Sequence, residues 1–211
     1  MTDDRPHLGD DPAAHLAPAR RISLLSLGWT LVASSAATGL GLATHSVLLV
    51  ALGAIGFVDA VGSAALAAHF HRARQRGEAS STAEARVHTV VVAGLLLVGT
   101  ASAVLGLAHL LSGASGEPSE AATALAATSA VVLVVLARSK RRLARRVSSH
   151  ALAADGQMSM VGAALSATTV AGSALAAADL GWADPVGAVV VGTGAVAWGL
   201  SSRRARRRPH P

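Results

Sequence analysis

The sequence predicts an all-α integral membrane protein: a six-helix transmembrane bundle with no soluble C-terminal domain. Three observations predict it. Of the 211 residues, 52% are hydrophobic and only 14% are charged, against about 25% charged in an ordinary soluble domain, so too little charge remains to coat a globule. Six apolar stretches each approach the roughly 20 residues needed to cross a hydrocarbon core. The 18 Lys and Arg are gathered in four clusters that alternate with pairs of those stretches. The lack of Cys excludes a disulfide framework, thiolate metal sites and thiol chemistry. With 21 Gly and only two Phe, the apolar mass is small and aliphatic, as closely packed membrane helices require.

Residues 1–19 (MTDDRPHLGDDPAAHLAPA) are acidic, Pro-bearing and aperiodic, which predicts a disordered tail. An acidic start followed by a long apolar run is not a signal peptide. The transmembrane domain occupies 20–201, with spans at 22–43, 46–70, 87–111, 121–138, 150–178 and 181–200. The fourth is the shortest, and the fifth is long enough to begin outside the lipid. Asp184 and Pro185 open the sixth as N-cap and first-turn proline, with Trp182 as an interfacial anchor. Residues 202–211 (SRRARRRPHP) form a basic tail.

Charge placement supplies the orientation. Basic residues occupy the N-terminal flank (Arg5, Arg20, Arg21), the second connection (Arg72, Arg74, Arg76, Arg86), the fourth (Arg138, Lys140, Arg141, Arg142, Arg145, Arg146) and the tail. The first, third and fifth connections carry only Glu117, Glu120, Asp179 and Asp184 as charges. Basic loops stay on the cytoplasmic side, so a multi-pass protein of the cell membrane with both termini cytoplasmic is expected. The lipid bilayer is the first partner, with anionic headgroups at the basic clusters. Nucleic acid is not expected, because each cluster abuts a span and no aromatic residues interleave.

Ionisable residues at bilayer depth cost roughly 2.5–3.5 kcal/mol on insertion scales and point to function or to a partner. Asp59 lies mid-way along the second span, with Gly56 and Ser63 on its face. It is either a cation ligand or proton carrier, or a protonated packing residue. Asp155, Ser159, Gly162, Ser166, Thr169 and Ser173 form a small, hydroxylated stripe on the fifth span, and Ser23, Ser26, Thr30, Ser34, Thr38 and Gly41 form another on the first. Such stripes either line a hydrated path or allow close helix contact. Asp155, one turn inside the fourth connection, either pairs with Arg145 or Arg146 at the interface or is a second candidate metal ligand after Asp59. His150 is five residues from Asp155 and so off its face. His69 and His71 flank Phe70; an H-x-H pair could hold a transition metal weakly, or both are interfacial histidines. His45, His88 and His109 sit near span ends. No nucleophile elbow, phosphate loop or metalloprotease motif occurs, so the chain is not expected to be an enzyme.

Several segments together resemble the cation diffusion facilitator (cation efflux) family, which exchanges divalent metals for protons. SVLLVALGAIGFVDAVGSA is similar to that family's second span, which carries an acidic pair four residues apart. STAEARVHTVVVAGLLLVGTASAVLGLAHLL resembles its third span, with Glu84 at the acidic start. SSHALAADGQMSM resembles the Ser-x-Ala-Leu-x-Ala-Asp start of the fifth, and GWADPVGAVVVGTGAVAWG the Trp-x-Asp-Pro start of the sixth. The resemblance covers roughly residues 20–200 and implies a divalent metal cation as substrate, with no permanently bound cofactor. It places the metal ligands at Ile55, Asp59, Met158 and Gly162, so one carboxylate of the implied set is retained. Met158 is a soft thioether, and Asp155 is the remaining acid nearby.

Two functions follow as expectations. One is a family-like transporter that antiports a cation, typically divalent, against protons with Asp59 as the central carboxylate. The other is a transport-inactive, degenerate member acting as a membrane scaffold or partner subunit. A homodimer, or a heterodimer with a paralogue, is expected from outward glycines at Gly187, Gly192, Gly194 and Gly199.

Overall fold

The computed structural model describes residues 16–43, 47–76, 81–113, 120–176 and 182–207. They form six helices: α1 (Leu16–Ala43), α2 (Val47–Arg76), α3 (Ser81–Ser112), α4 (Glu120–Arg146), α5 (His150–Ala176) and α6 (Ala183–Arg207). All six are long and apolar enough to cross a membrane. The protein is an all-α transmembrane bundle, and no strand occurs among the described residues.

The helices run past the predicted spans, chiefly at their basic ends. α2 continues to Arg76, α4 to Arg146 and α6 to Arg207. Arginine and alanine favour helix, and basic side chains suit a helix C-terminus. α1 starts at Leu16, inside the predicted tail, because Pro18 fits a first turn where its missing N–H costs nothing. Residues 1–15, His45, Glu117 and Asp179 lie outside the described residues. α6 begins at Ala183 with the Val186 N–H donating to the Trp182 carbonyl at 3.1 Å. The cap position is therefore Trp182 and not Asp184. Trp182 is exposed, as an interfacial anchor requires.

Packing runs α1 on α2, α4 on α5 and α3 on α6, with α3 also against α2 and α5, α6 against α5, and α1 against α4. Facing residues fix the directions. Asp59 meets Thr30 and Ser63 meets Ser26, so α1 and α2 are antiparallel. Thr123 meets Ser173 while Lys140 meets Ser159, so α4 and α5 are too. The basic ends of α1, α2 and α4 therefore gather with the start of α5 at one end of the bundle, and the His69–Glu84 and Gly106–Pro185 contacts bring the start of α3 and the end of α6 to the same side.

The α3–α6 contact depends on missing side chains. A Cβ on Gly192 would lie 2.5 Å from the Gly99 carbonyl oxygen and 2.7 Å from the Ala103 amide nitrogen. Gly192 thus faces inward, as do Gly187 against Thr168 and Gly199 against Leu96. Of the four glycines expected on an outward dimer face, only Gly194 has open space beside it. Burying small residues is how these helices approach closely, and it removes most of the sequence argument for a glycine-mediated dimer.

Polarity is inverted relative to a soluble bundle. Leu25, Val32, Leu97, Leu111, Val131 and Val190 are exposed, while Ser23, Ser26, Ser63, Lys140, Asp155 and Ser159 are almost completely buried. That distribution suits a hydrocarbon surround, in which polar groups must find partners inside the protein.

Candidate functional site

The α4–α5 connection sets the first layer, at the basic end of the bundle. Ser148 adopts a left-handed conformation (φ 51°), and the Ser149 N–H donates to the Ala144 carbonyl at 3.0 Å, closing α4 in a Schellman-type turn. Ser149 then caps α5: its Oγ accepts from the Leu152 N–H at 3.1 Å. Glu84, in the first turn of α3, completes the cap. Its Oε1 accepts from Ser149 Oγ and from the Ala151 N–H, both at 2.8 Å, and its Oε2 lies 3.0 Å from His69 Nε2 on α2. A carboxylate at a helix N-terminus is favoured by the helix dipole. Glu84 therefore ties three helices together.

The His69–Glu84 pair answers the histidine question. His69 is buried and points to Glu84, while His71 is exposed. Residues two apart on a helix diverge by about 200°, so His69 and His71 do not converge on a metal. No group of three or more His, Cys, Asp or Glu able to hold a metal ion occurs among the described residues.

One layer deeper, about 9 Å along α2 from His69 by helical rise, lies Ser63 and a buried ion pair. Lys140 Nζ is 2.5 Å from Asp155 Oδ2, and both side chains are fully buried. The ammonium also donates to Ser26 Oγ at 2.6 Å, Ser159 Oγ at 2.9 Å and Ser63 Oγ at 3.5 Å, which occupies its three protons. Ser63 Oγ stands 3.3 Å from Asp155 Oδ1 as donor. This corrects the expected partner of Asp155. Arg145 and Arg146 are exposed on α4, whereas Lys140 lies on the helix face that also buries Leu136, Ala137 and Ala144. The 3.6-residue repeat carries the lysine inward and its arginine neighbours outward.

A third layer follows about 6 Å further along α2. Asp59 Oδ2 accepts from Thr30 Oγ1 at 3.3 Å. Oδ1 is buried with no hydrogen-bond partner among the described residues. Both the Lys140 ammonium and the Asp155 carboxylate act on Asp59 through space. Asp59 borders a cavity of about 140 Å³ lined by residues of α1 to α5. Ile55, Met158 and Gly162 line the same cavity, so the four positions implied by the family resemblance do converge. Three of them offer no hard donor, because their side chains are a hydrocarbon, a thioether and a hydrogen atom. The polar stripes contribute Thr30 and Ser34 from α1 and Ser159, Ser166 and Thr169 from α5.

Two residues of this region were not singled out from the sequence. Lys140 reads as one more member of a basic cluster, although it is the only lysine in the chain; its three- and four-residue spacing from Leu136, Ala137 and Ala144 is the signal that separates it from the arginines. Trp29 also lines the cavity, and its Nε1 is buried without a hydrogen-bond partner among the described residues. Tryptophan favours the membrane interface, so one placed halfway along α1 marks an interior site. The chain matches no protein-family model and no curated protein.

Proposed function

We propose that the protein is a membrane cation carrier of the cation diffusion facilitator type, in which one positive charge at a time exchanges with a proton at Asp59. The observation that carries this reading is the charge balance of the buried groups beside the cavity. With Asp59, Asp155 and Lys140 ionised, they hold one net negative charge. One proton or one singly charged cation neutralises it. A divalent metal leaves an uncompensated positive charge, which costs about 3 kcal/mol or more at bilayer depth. The donor chemistry agrees, since a divalent site needs several hard oxygen or nitrogen ligands and Asp59 is the single carboxylate on the cavity wall among the described residues. Lys140 stands as a tethered cation beside the place where the resemblance puts a metal. The expected divalent substrate thus gives way to a monovalent one.

The exchange follows from Asp59 itself. Its carboxylate attracts a cation that enters the cavity, and a proton on either oxygen removes that attraction, so the two occupants exclude one another. The basic helix ends favour an orientation with both termini on the cytoplasmic face of the cell membrane. Proteoliposomes with a pH-sensitive dye inside test the reading. An imposed gradient of the transported cation drives an opposite proton flux in the wild type and none with Asp59→Asn; equal fluxes from both proteins overturn it.

A scaffold without transport is the second reading. The observation in its favour is the Lys140–Asp155 pair, which joins α4 to α5 and, through Ser26, to α1. It predicts no Asp59-dependent proton flux with any cation.

A further inference from the structure

Resting on the carrier reading, we infer that Lys140 is a specificity-determining residue: it confines the exchange at Asp59 to singly charged cations by occupying the second acid and the oxygens that a divalent ion would use. Around its Nζ stand Asp155 Oδ2 at 2.5 Å, Ser26 Oγ at 2.6 Å, Ser159 Oγ at 2.9 Å and Ser63 Oγ at 3.5 Å. One carboxylate and three hydroxyls, drawn from α1, α2 and α5, thus converge on one positive charge. Carboxylate and neutral oxygen donors are what hard divalent ions such as magnesium and manganese take. Ser159 also lines the cavity beside Asp59, so this oxygen shell adjoins the carrier site and is filled by the chain's own ammonium.

Stapling helices does not by itself call for such a pair, because apolar residues of similar volume often hold a bundle as well or better. Its effect on the next layer does. Ser63 is one turn of α2 from Asp59, and the Lys140 and Asp155 charges both reach Asp59 through space. With Lys140 in place, one negative charge remains for a mobile cation, and Asp155 is already engaged. Without it, two acids and three released hydroxyls would face one ion, which suits a double charge. The next ionisable groups along that end of the bundle, His69 and Glu84, pair with each other a layer away. The residue type fits the role. Every other member of the 18 Lys and Arg is an arginine, yet the fully buried position carries lysine. An ammonium is a compact point charge that hydroxyls can surround, whereas a guanidinium is a flat fork matched to carboxylate or phosphate.

Proton flux in proteoliposomes tests the assignment, driven in turn by gradients of sodium, potassium and manganese chloride. Sodium or potassium is expected to drive Asp59-dependent flux in the wild type, with one proton exchanged per ion, and manganese to drive none. Lys140→Ala opens the ammonium's place and leaves two acids. It is expected to raise the ratio of manganese-driven to monovalent-driven flux by about tenfold or more, because a like charge beside the incoming ion is gone, and to exchange two protons per manganese ion. Adding Asp155→Asn to Lys140→Ala returns the count to one acid, and with it the preference for the monovalent ion. A lysine that only holds helices together would lower the fluxes on substitution without changing their ratio. A ratio unchanged by Lys140→Ala, or a wild type driven by manganese as well as by sodium or potassium, overturns the inference while Asp59-dependent exchange stands. A double variant driven by manganese more than by sodium or potassium overturns it too, even where Lys140→Ala alone does not fold. Equal fluxes from wild type and Asp59→Asn with all three salts remove the carrier reading and the inference together.

Discussion

At the scale of single residues, the Lys140–Asp155 pair dominates because neither charge can reach water. Removing one partner of a buried pair strands the other and typically costs about 3–5 kcal/mol, whereas replacing both with apolar residues is often close to neutral. Lys140→Met is therefore expected to destabilise the protein by that amount, and Lys140→Met with Asp155→Leu to recover most of it. Unfolding in graded denaturing detergent measures these two and Asp155→Leu alone; a loss in the double variant equal to the sum of the two single losses would mean that the two charges do not sense each other. Asp59 was legible from the sequence because a carboxylate inside an apolar run has few explanations. Its surroundings were not. Ser26, Ser63, Ser159 and Lys140 come from four different helices, and no spacing along the chain states which helices meet. The misassigned partner of Asp155 has the same origin: Arg145 and Arg146 are nearer to it in sequence than Lys140 is, but the helical repeat turns them outward.

At the scale of elements, the number and order of helices could be read directly, since apolarity over 20 residues is a local property. Helix ends were harder to read, because water accepts an arginine on a helix as readily as on a loop, and hydropathy falls before the helix stops. Turn chemistry supplies a sharper prediction. Ser148 holds a left-handed conformation, which costs a residue bearing Cβ about 1–2 kcal/mol and costs glycine little. Ser148→Gly is expected to raise stability by about 0.5–1 kcal/mol after the entropy lost by glycine is counted, seen as a higher midpoint in thermal unfolding. An unchanged or lower midpoint would show that the turn is held by something other than its backbone preference. The α3–α6 crossing predicts the opposite outcome. Gly192→Val places carbon against the Gly99 carbonyl and the Ala103 backbone, and backbone cannot swing aside as a side chain does. A loss of about 1–3 kcal/mol or more is expected from such overpacking, with α6 separating first. Proteolysis at the α6 end checks this; a wild-type cleavage rate would be inconsistent with the close crossing.

At the scale of the whole molecule, exposed Leu and Val enclose buried Ser, Lys and Asp, an arrangement that is stable only where the surround is hydrocarbon. The antiparallel pairings place Gln75 and Ser148 at the basic end of the bundle and Ser112 and Trp182 at the other. Because the chain contains no cysteine, single cysteines report their own side of the membrane without prior removal of others. Gln75, Ser148, Ser112 and Trp182 are exposed, so cysteines introduced there are open to a thiol reagent. Basic ends are retained on the cytoplasmic side. A membrane-impermeant maleimide added to intact cells is therefore expected to label Ser112→Cys and Trp182→Cys, and to reach Gln75→Cys and Ser148→Cys only after the membrane is opened. Labelling of all four in intact cells would contradict membrane enclosure of the basic end. The reverse pattern would keep the bundle but invert it, placing the Glu84 cap at the external face and the Asp59 cavity two layers beneath it.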